Sequence, residues 1–140
     1  MKHTINIKIY YEDTDAGGVV YYANYLKYFE RARTEFFESL GIKISQLAKE
    51  GIKFVVVKTE VDYINPARLG DMLEIETEIF EVGKASLSLK YKVIRKEDKK
   101  HIVSGMTKLA CVNNDLKPVR IPDVIYSNLK QILETKTQSD

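Results

Sequence analysis

The sequence predicts an α+β domain in which one long amphipathic helix packs on an antiparallel sheet. Three observations carry that prediction. Apolar residues recur at helical spacing between Ala23 and Leu40, strand-like segments fill most of residues 54–112, and the breaks between those segments are turn signals rather than helices. With 140 residues the chain has the size of one domain and enough length to bury a core. Residues 1–134 are read as that domain and 135–140 as a polar tail.

Residues 4–10 alternate, with Ile5, Ile7 and Ile9 against Asn6, Lys8 and Tyr10, the period of a half-buried strand. A polar, turn-rich stretch, Glu12-Asp13-Thr14-Asp15-Ala16-Gly17-Gly18, follows. Then Tyr22, Leu26, Phe29, Phe36 and Leu40, with Ala32 and Arg33 between them, form a stripe at steps of three, four or seven. A helix over 23–40 would run about 27 Å, and Gly41 supplies its stop. A short helix over 44–50 ends at Gly51. Strands are expected over 54–64, 72–82, 85–94 and 102–112. Asn65-Pro66, Val82-Gly83-Lys84 and the charged residues 95–100 mark the turns, so the strands read as an antiparallel meander. In the third of these strands Ser86, Ser88, Lys90 and Lys92 alternate with Leu87, Leu89, Tyr91 and Val93, as in a sheet solvated on one face. Val124, Ile125, Leu129, Ile132 and Leu133 predict a last helix over 124–133.

Composition excludes several function classes. Twenty-two basic against twenty acidic residues leave a net charge of +2, too small a field for nucleic acid or an anionic membrane surface. An anionic ligand must therefore be met by local groups. Cys111 is the single cysteine, so neither an internal disulfide nor a thiolate metal site is expected, which fits a reducing, cytoplasmic setting. No apolar run has the length of a membrane span or the character of a signal peptide.

Chemistry concentrates in residues 10–25. A carboxylate stands just ahead of a helix start, whose free N–H groups and positive dipole end stabilise negative charge, including the oxyanion of a carbonyl under attack. Gly17 and Gly18 remove side-chain bulk, so a ligand carbonyl can approach the backbone. Asp15 there can act as nucleophile or as general base for water. A thioester is a fitting electrophile, because thiolate leaves without a strong acid. The plain alternative is that Asp13 or Asp15 caps the helix. Glu30 and Arg33 lie one turn apart and are expected to pair. Cys111 reads as a buried small hydrophobe, and His101 as a solvated turn residue. Asp13 with Asp15 is too small a ligand set to indicate a metal.

The string Tyr11-Glu12-Asp13-Thr14-Asp15-Ala16-Gly17-Gly18-Val19-Val20-Tyr21 resembles the active-site signature of the acyl-CoA thioesterases related to 4-hydroxybenzoyl-CoA thioesterase, and within them the YbgC group. The similarity runs from about Ile7 through Val119. It implies a hot-dog fold, a sheet wrapped around one long central helix. It also implies a homodimer paired edge to edge, associating further as a dimer of dimers, with active sites at the subunit interface. Asp15 becomes the catalytic carboxylate, the Tyr22 backbone N–H polarises the thioester carbonyl, and Tyr11 matches a tyrosine that recurs before the aspartate. Gly17, Gly18 and Val19 contact substrate. Arg68, in the loop Asn65-Pro66-Ala67-Arg68-Leu69-Gly70-Asp71, and Lys84, with its neighbour Ser86, are positioned for the CoA phosphates; as plain residues both cations also read as solvated surface charges. The YbgC group usually has histidine where this chain has Tyr22, and the aromatic-acyl enzyme has tyrosine there, so aliphatic and aromatic acyl groups both remain open. The aromatic-acyl enzyme also carries a denser basic cluster around the hairpin than the single Lys84 here.

The expected activity is hydrolysis of acyl-CoA or acyl-carrier-protein thioesters with no metal or redox cofactor, CoA entering only as part of the substrate. A hot-dog hydratase or dehydratase would need a histidine in the motif, and His3 and His101 both lie outside it. The alternative from another class is a non-hydrolytic acyl-CoA or acyl-carrier-protein binding module, separated from the enzyme by release of free thiol.

Overall fold

A computed structural model describes residues 1–139, with side-chain surroundings for residues 1–135. In chain order the elements are β1 (His3–Lys8), a 3-10 turn (Tyr11–Asp13), α1 (Asn24–Ser39), α2 (Ile44–Lys49), β2 (Lys53–Tyr63), β3 (Met72–Val82), β4 (Ser86–Arg95), β5 (His101–Val112) and α3 (Asp123–Ser139). Each expected element is present. The strands form one sheet of order β1-β3-β4-β5-β2, with every neighbouring pair antiparallel.

The expected meander holds only for β3, β4 and β5. β2 lies at the far edge beside β5, because a loop rather than a hairpin follows it. The amides of Ile64 and Asn65 both donate to the Ile102 carbonyl, at 2.9 and 3.1 Å, and Asn65 Nδ2 donates to the His101 carbonyl at 2.8 Å. Residues 64–71 thus cross the ends of β5 and β4 before the chain enters β3.

α1 covers one face of the sheet. Leu73, Ile75, Thr77 and Ile79 of β3 are buried there, opposite Val93, Tyr91 and Leu89 of β4. From the helix come Tyr25, Tyr28, Phe29, Ala32, Phe36 and Phe37, all buried. Phe29 stacks on Tyr91 with ring centroids 4.3 Å apart, and Phe37 stacks on Phe54. Fully burying a Phe-sized side chain is worth about 1.5–3 kcal/mol, so these aromatics fix the rotation of α1. The expected stripe is accordingly displaced. Tyr22 and Leu26 are 59% and 45% exposed, while Tyr25 and Tyr28 take the inward positions.

Three smaller expectations change. Ser88 is buried rather than solvated; it pairs with Glu81 at a β3 bulge, while Lys90 and Lys92 remain exposed. α3 continues past 133 to Ser139, so the segment read as a tail is helical that far; Asp140 lies outside the described residues. Cys111 is buried as expected, and burial pushes its thiol pKa up. No helix among the described residues is long and apolar enough to cross a membrane.

Candidate active site

β1 delivers the chain to the 3-10 turn, where Asp13 does structural work. Its Oδ2 accepts the Tyr10 N–H at 2.8 Å, and its carbonyl accepts both the Tyr21 N–H at 2.9 Å and Asn24 Nδ2 at 2.8 Å. The base of α1 is thereby tied to the end of β1, and residues 14–20 close into a loop. Within it, Asp15 N–H donates to the Val19 carbonyl and Gly18 N–H to the Asp15 carbonyl. Gly18 has φ +81°, a left-handed conformation that side chains other than glycine rarely adopt.

The Asp15 carboxylate folds onto this turn. Oδ1 accepts the Gly17 N–H at 2.8 Å and the Val19 N–H at 3.4 Å, while Oδ2 has no partner among the described residues. Neither Asp13 nor Asp15 caps α1: the N-cap residue is Ala23, with no side-chain cap bond. The carboxylate is therefore oriented by its own turn, with one oxygen available.

Loop 64–71 docks on that turn through main-chain contacts. Val19 bridges to Arg68, and Val20 N–H donates to the Ala67 carbonyl at 2.8 Å. Between the two segments and the start of α1 opens a cavity of about 370 Å³, lined by Asp15, Val19, Val20, Tyr22, Tyr25, Tyr63 and residues 64–66. Tyr63 hydroxyl donates to the Tyr22 carbonyl at 3.2 Å, and its ring meets Tyr22 edge-on. The Tyr22 N–H has no acceptor among the described residues. Burial raises the Tyr25 pKa to about 12, against a lowering contribution from its hydrogen bond to the Ala67 backbone. Burial raises that of Tyr63 as well. These phenols stay protonated at neutral pH and serve as apolar walls, with Tyr63 the hydrogen-bond donor of the two.

The structure thus brings Asp15, Val19 and Tyr22 to one cavity, with Gly17 and Gly18 in the adjoining turn and Arg68 bonded to it but exposed. Tyr11 is 81% exposed and does not line the cavity. Lys84 and Ser86 lie at the opposite end of β3, a strand about 35 Å long at the usual rise. Arg33 makes no ion pair with Glu30 and reaches instead the Tyr91 hydroxyl, which also bonds Thr107 Oγ1 at 2.6 Å. His101 is half-buried, its Nε2 2.9 Å from Ser104 Oγ. Sequence reasoning missed Tyr25 and Tyr63 as cavity walls. Tyr25 and Tyr28 carry the i, i+3 spacing of a buried face, the signal that could have found the first. Among the described residues, no three His, Cys, Asp or Glu side chains gather to hold a metal.

A family model described as the thioesterase-like superfamily matches residues 10–129, most of the chain and all of the site. The chain belongs to that superfamily. It is 40% identical over 126 residues to the acyl-CoA thioester hydrolase YbgC of Escherichia coli, covering 89% of this chain and 93% of the relative. A probable thioesterase from Bartonella henselae superposes with a TM-score of 0.82 at 33% identity, covering 87% of this chain and 100% of that one. The DHNA-CoA thioesterase of Staphylococcus aureus superposes with a TM-score of 0.94 over 99% of this chain and 95% of that one, and at 22% identity it speaks for the fold alone. The architecture is the hot-dog fold that the motif implied.

Proposed function

We propose that this chain hydrolyses acyl-CoA thioesters, with Asp15 as the reacting carboxylate and the Tyr22 amide stabilising the oxyanion. One observation carries the assignment of roles: Asp15, whose Oδ2 has no partner among the described residues, and Tyr22, whose N–H just ahead of α1 has no acceptor among them, line the same cavity. The relatives' acyl-CoA chemistry supports the substrate class. In the general-base route Asp15 takes a proton from water as its oxygen bonds to the thioester carbon; the C–S bond then breaks and CoA leaves as thiolate. In the nucleophilic route an Asp15 oxygen bonds to the thioester carbon, the C–S bond breaks and CoA leaves as thiolate; water then opens the mixed anhydride, releasing the acid and restoring the carboxylate. Both routes draw only on Asp15, water and backbone donors. Acyl-carrier-protein thioesters present the same phosphopantetheine arm and form the second substrate class.

The reading extends to a dimer. β2 is an edge strand that leaves Val56 and Val57 exposed at 45% and 57%. Antiparallel pairing of β2 with its copy would set the Tyr63 end of one subunit beside the Lys53 end of the other. Lys84 lies at that second end, because Ser86 pairs with Ala110 and Val112 with Lys53. Pairing therefore supplies the phosphate-binding cation that a single chain keeps far from Asp15.

Thiol release from a panel of aliphatic and aromatic acyl-CoAs tests the activity. Asp15→Asn should lower kcat by about 10²–10⁴-fold, the usual worth of a positioned acid–base group, while acyl-CoA still binds. Parent-like turnover by that variant would remove Asp15 from the mechanism, and binding without thiol release by the parent would favour the binding module.

A further inference from the structure

Arg95 ends β4 on the face that α1 covers. It stands opposite the fully buried Leu73 in the ladder, and its side chain is only 15% exposed. A guanidinium withdrawn from water needs acceptors on several sides; Arg95 has one hydrogen bond and two looser carboxylate contacts, and its Nε has no hydrogen-bond partner. Asp71 Oδ2 lies 3.6 Å from Nη1, Asp98 Oδ1 3.4 Å from Nε, and the Pro66 carbonyl accepts from Nη2 at 3.4 Å. Two of the three belong to loop 64–71.

The ends of that loop are already held. Ile64 and Asn65 bond to β5, while Ile9 N–H donates to the Asp71 carbonyl and Gly70 N–H to the Ile9 carbonyl. Its middle, residues 66–68, is what touches the Asp15 turn, and there Arg95 acts. It binds the Pro66 carbonyl directly. It also pairs with the Asp71 oxygen that accepts the Arg68 N–H at 2.9 Å. Arg68 bridges to Val19, whose N–H reaches Asp15 Oδ1. An unbroken series of polar contacts runs from Arg95 to the reacting carboxylate.

We propose that Arg95, through Asp71 and Pro66, is a positioning residue for thioester hydrolysis: it clamps the middle of loop 64–71 on the Asp15 turn and so sets the cavity wall and the carboxylate orientation. This rests on the reading of Asp15 as the reacting group. A misplacement on the order of 1 Å at a reacting group costs up to about 100-fold in rate, so the clamp acts on kcat more than on ground-state affinity.

The test pairs kinetics with amide exchange on the full chain. Arg95→Gln should lower kcat about tenfold or more with KM within about threefold, and should speed exchange in peptides covering residues 15–20 and 64–71. Lys99→Gln, which removes the exposed pair with Glu74 in the neighbouring turn, should leave both unchanged. If Arg95→Gln does not fold, Asp71→Asn, which keeps size and removes the charge, should give the same kcat-weighted loss. A folded Arg95→Gln, or failing that a folded Asp71→Asn, with kcat within twofold of the parent or with unaltered exchange overturns the proposal. Asp15→Asn measured alongside separates the two readings. If it keeps turnover while Arg95→Gln loosens the loop, the clamp stands and the role given to Asp15 falls.

Discussion

Gly105→Ala tests how tightly α1 is seated on the sheet. Gly105 lies in β5 directly opposite Tyr91, beneath the Phe29 ring. A Cβ built there would come 2.5 Å from Phe29 Cε2 and 3.3 Å from Cε1, where ordinary contact begins at 3.4 Å. The ring would have to retreat by about 1 Å. It has no room to do so, because Phe29 is 0% exposed and stacks on Tyr91 with an interplanar angle of 11°. Overpacking of a filled core costs about 1–3 kcal/mol, and a rigid ring trapped on both sides places this case near the upper end. At about 3–4 °C per kcal/mol for a domain of this size, Tm should fall by roughly 10 °C in thermal unfolding followed by circular dichroism. Phe29→Leu in the same chain should recover part of that loss, because the smaller side chain vacates the space. A Gly105→Ala protein melting within about 2 °C of the parent, or a double variant whose losses simply add, would show that the ring moves freely and that the packing argument is wrong.

Two further outcomes follow from the tyrosines and the turn. The Tyr25 pKa stands near 12 in the folded chain against 10.0 ordinarily. The unfolded chain therefore loses this proton first as pH rises, so Tyr25 contributes stability that is present below pH 10 and lost toward pH 12. Two units correspond to about 3 kcal/mol, and denaturant midpoints of Tyr25→Phe should fall less steeply than the parent's over that range; parallel slopes would contradict the assignment. Gly18→Ala should cost about 1–2 kcal/mol by forcing a side chain into the left-handed region, with kcat/KM falling alongside as the Asp15 turn opens. A variant with parent-like Tm and kinetics would mean that the turn tolerates another backbone path.

Much of this architecture was legible in the sequence for physical reasons. The strands of residues 72–94 alternate cleanly, and α1 carries a long apolar stripe bounded by Gly41. What escaped was long-range. The place of β2 at the far edge depends on bonds from Ile64 and Asn65 to a strand almost forty positions later, which no local pattern encodes. The rotation of α1 was misjudged because Tyr25 and Tyr28 are apolar in body and polar at the tip, and periodicity alone does not say which end decides. At the site, Asp15 and the glycines stood out through spacing and resemblance. Arg95 did not: it reads as the first residue of a charged turn, and only the inward phase it shares with Val93 and Tyr91 hints at burial.

The junction between the Asp15 turn and loop 64–71 uses main-chain groups: Val20 N–H on the Ala67 carbonyl, and the Val19 to Arg68 bridge. Side chains on its outer rim, such as Arg68 and the half-exposed Leu69, take no part in holding the two segments together. The rim is thus interchangeable hardware on a fixed mount. Replacing those two side chains leaves the main-chain junction, and with it the aim of the carboxylate, in place.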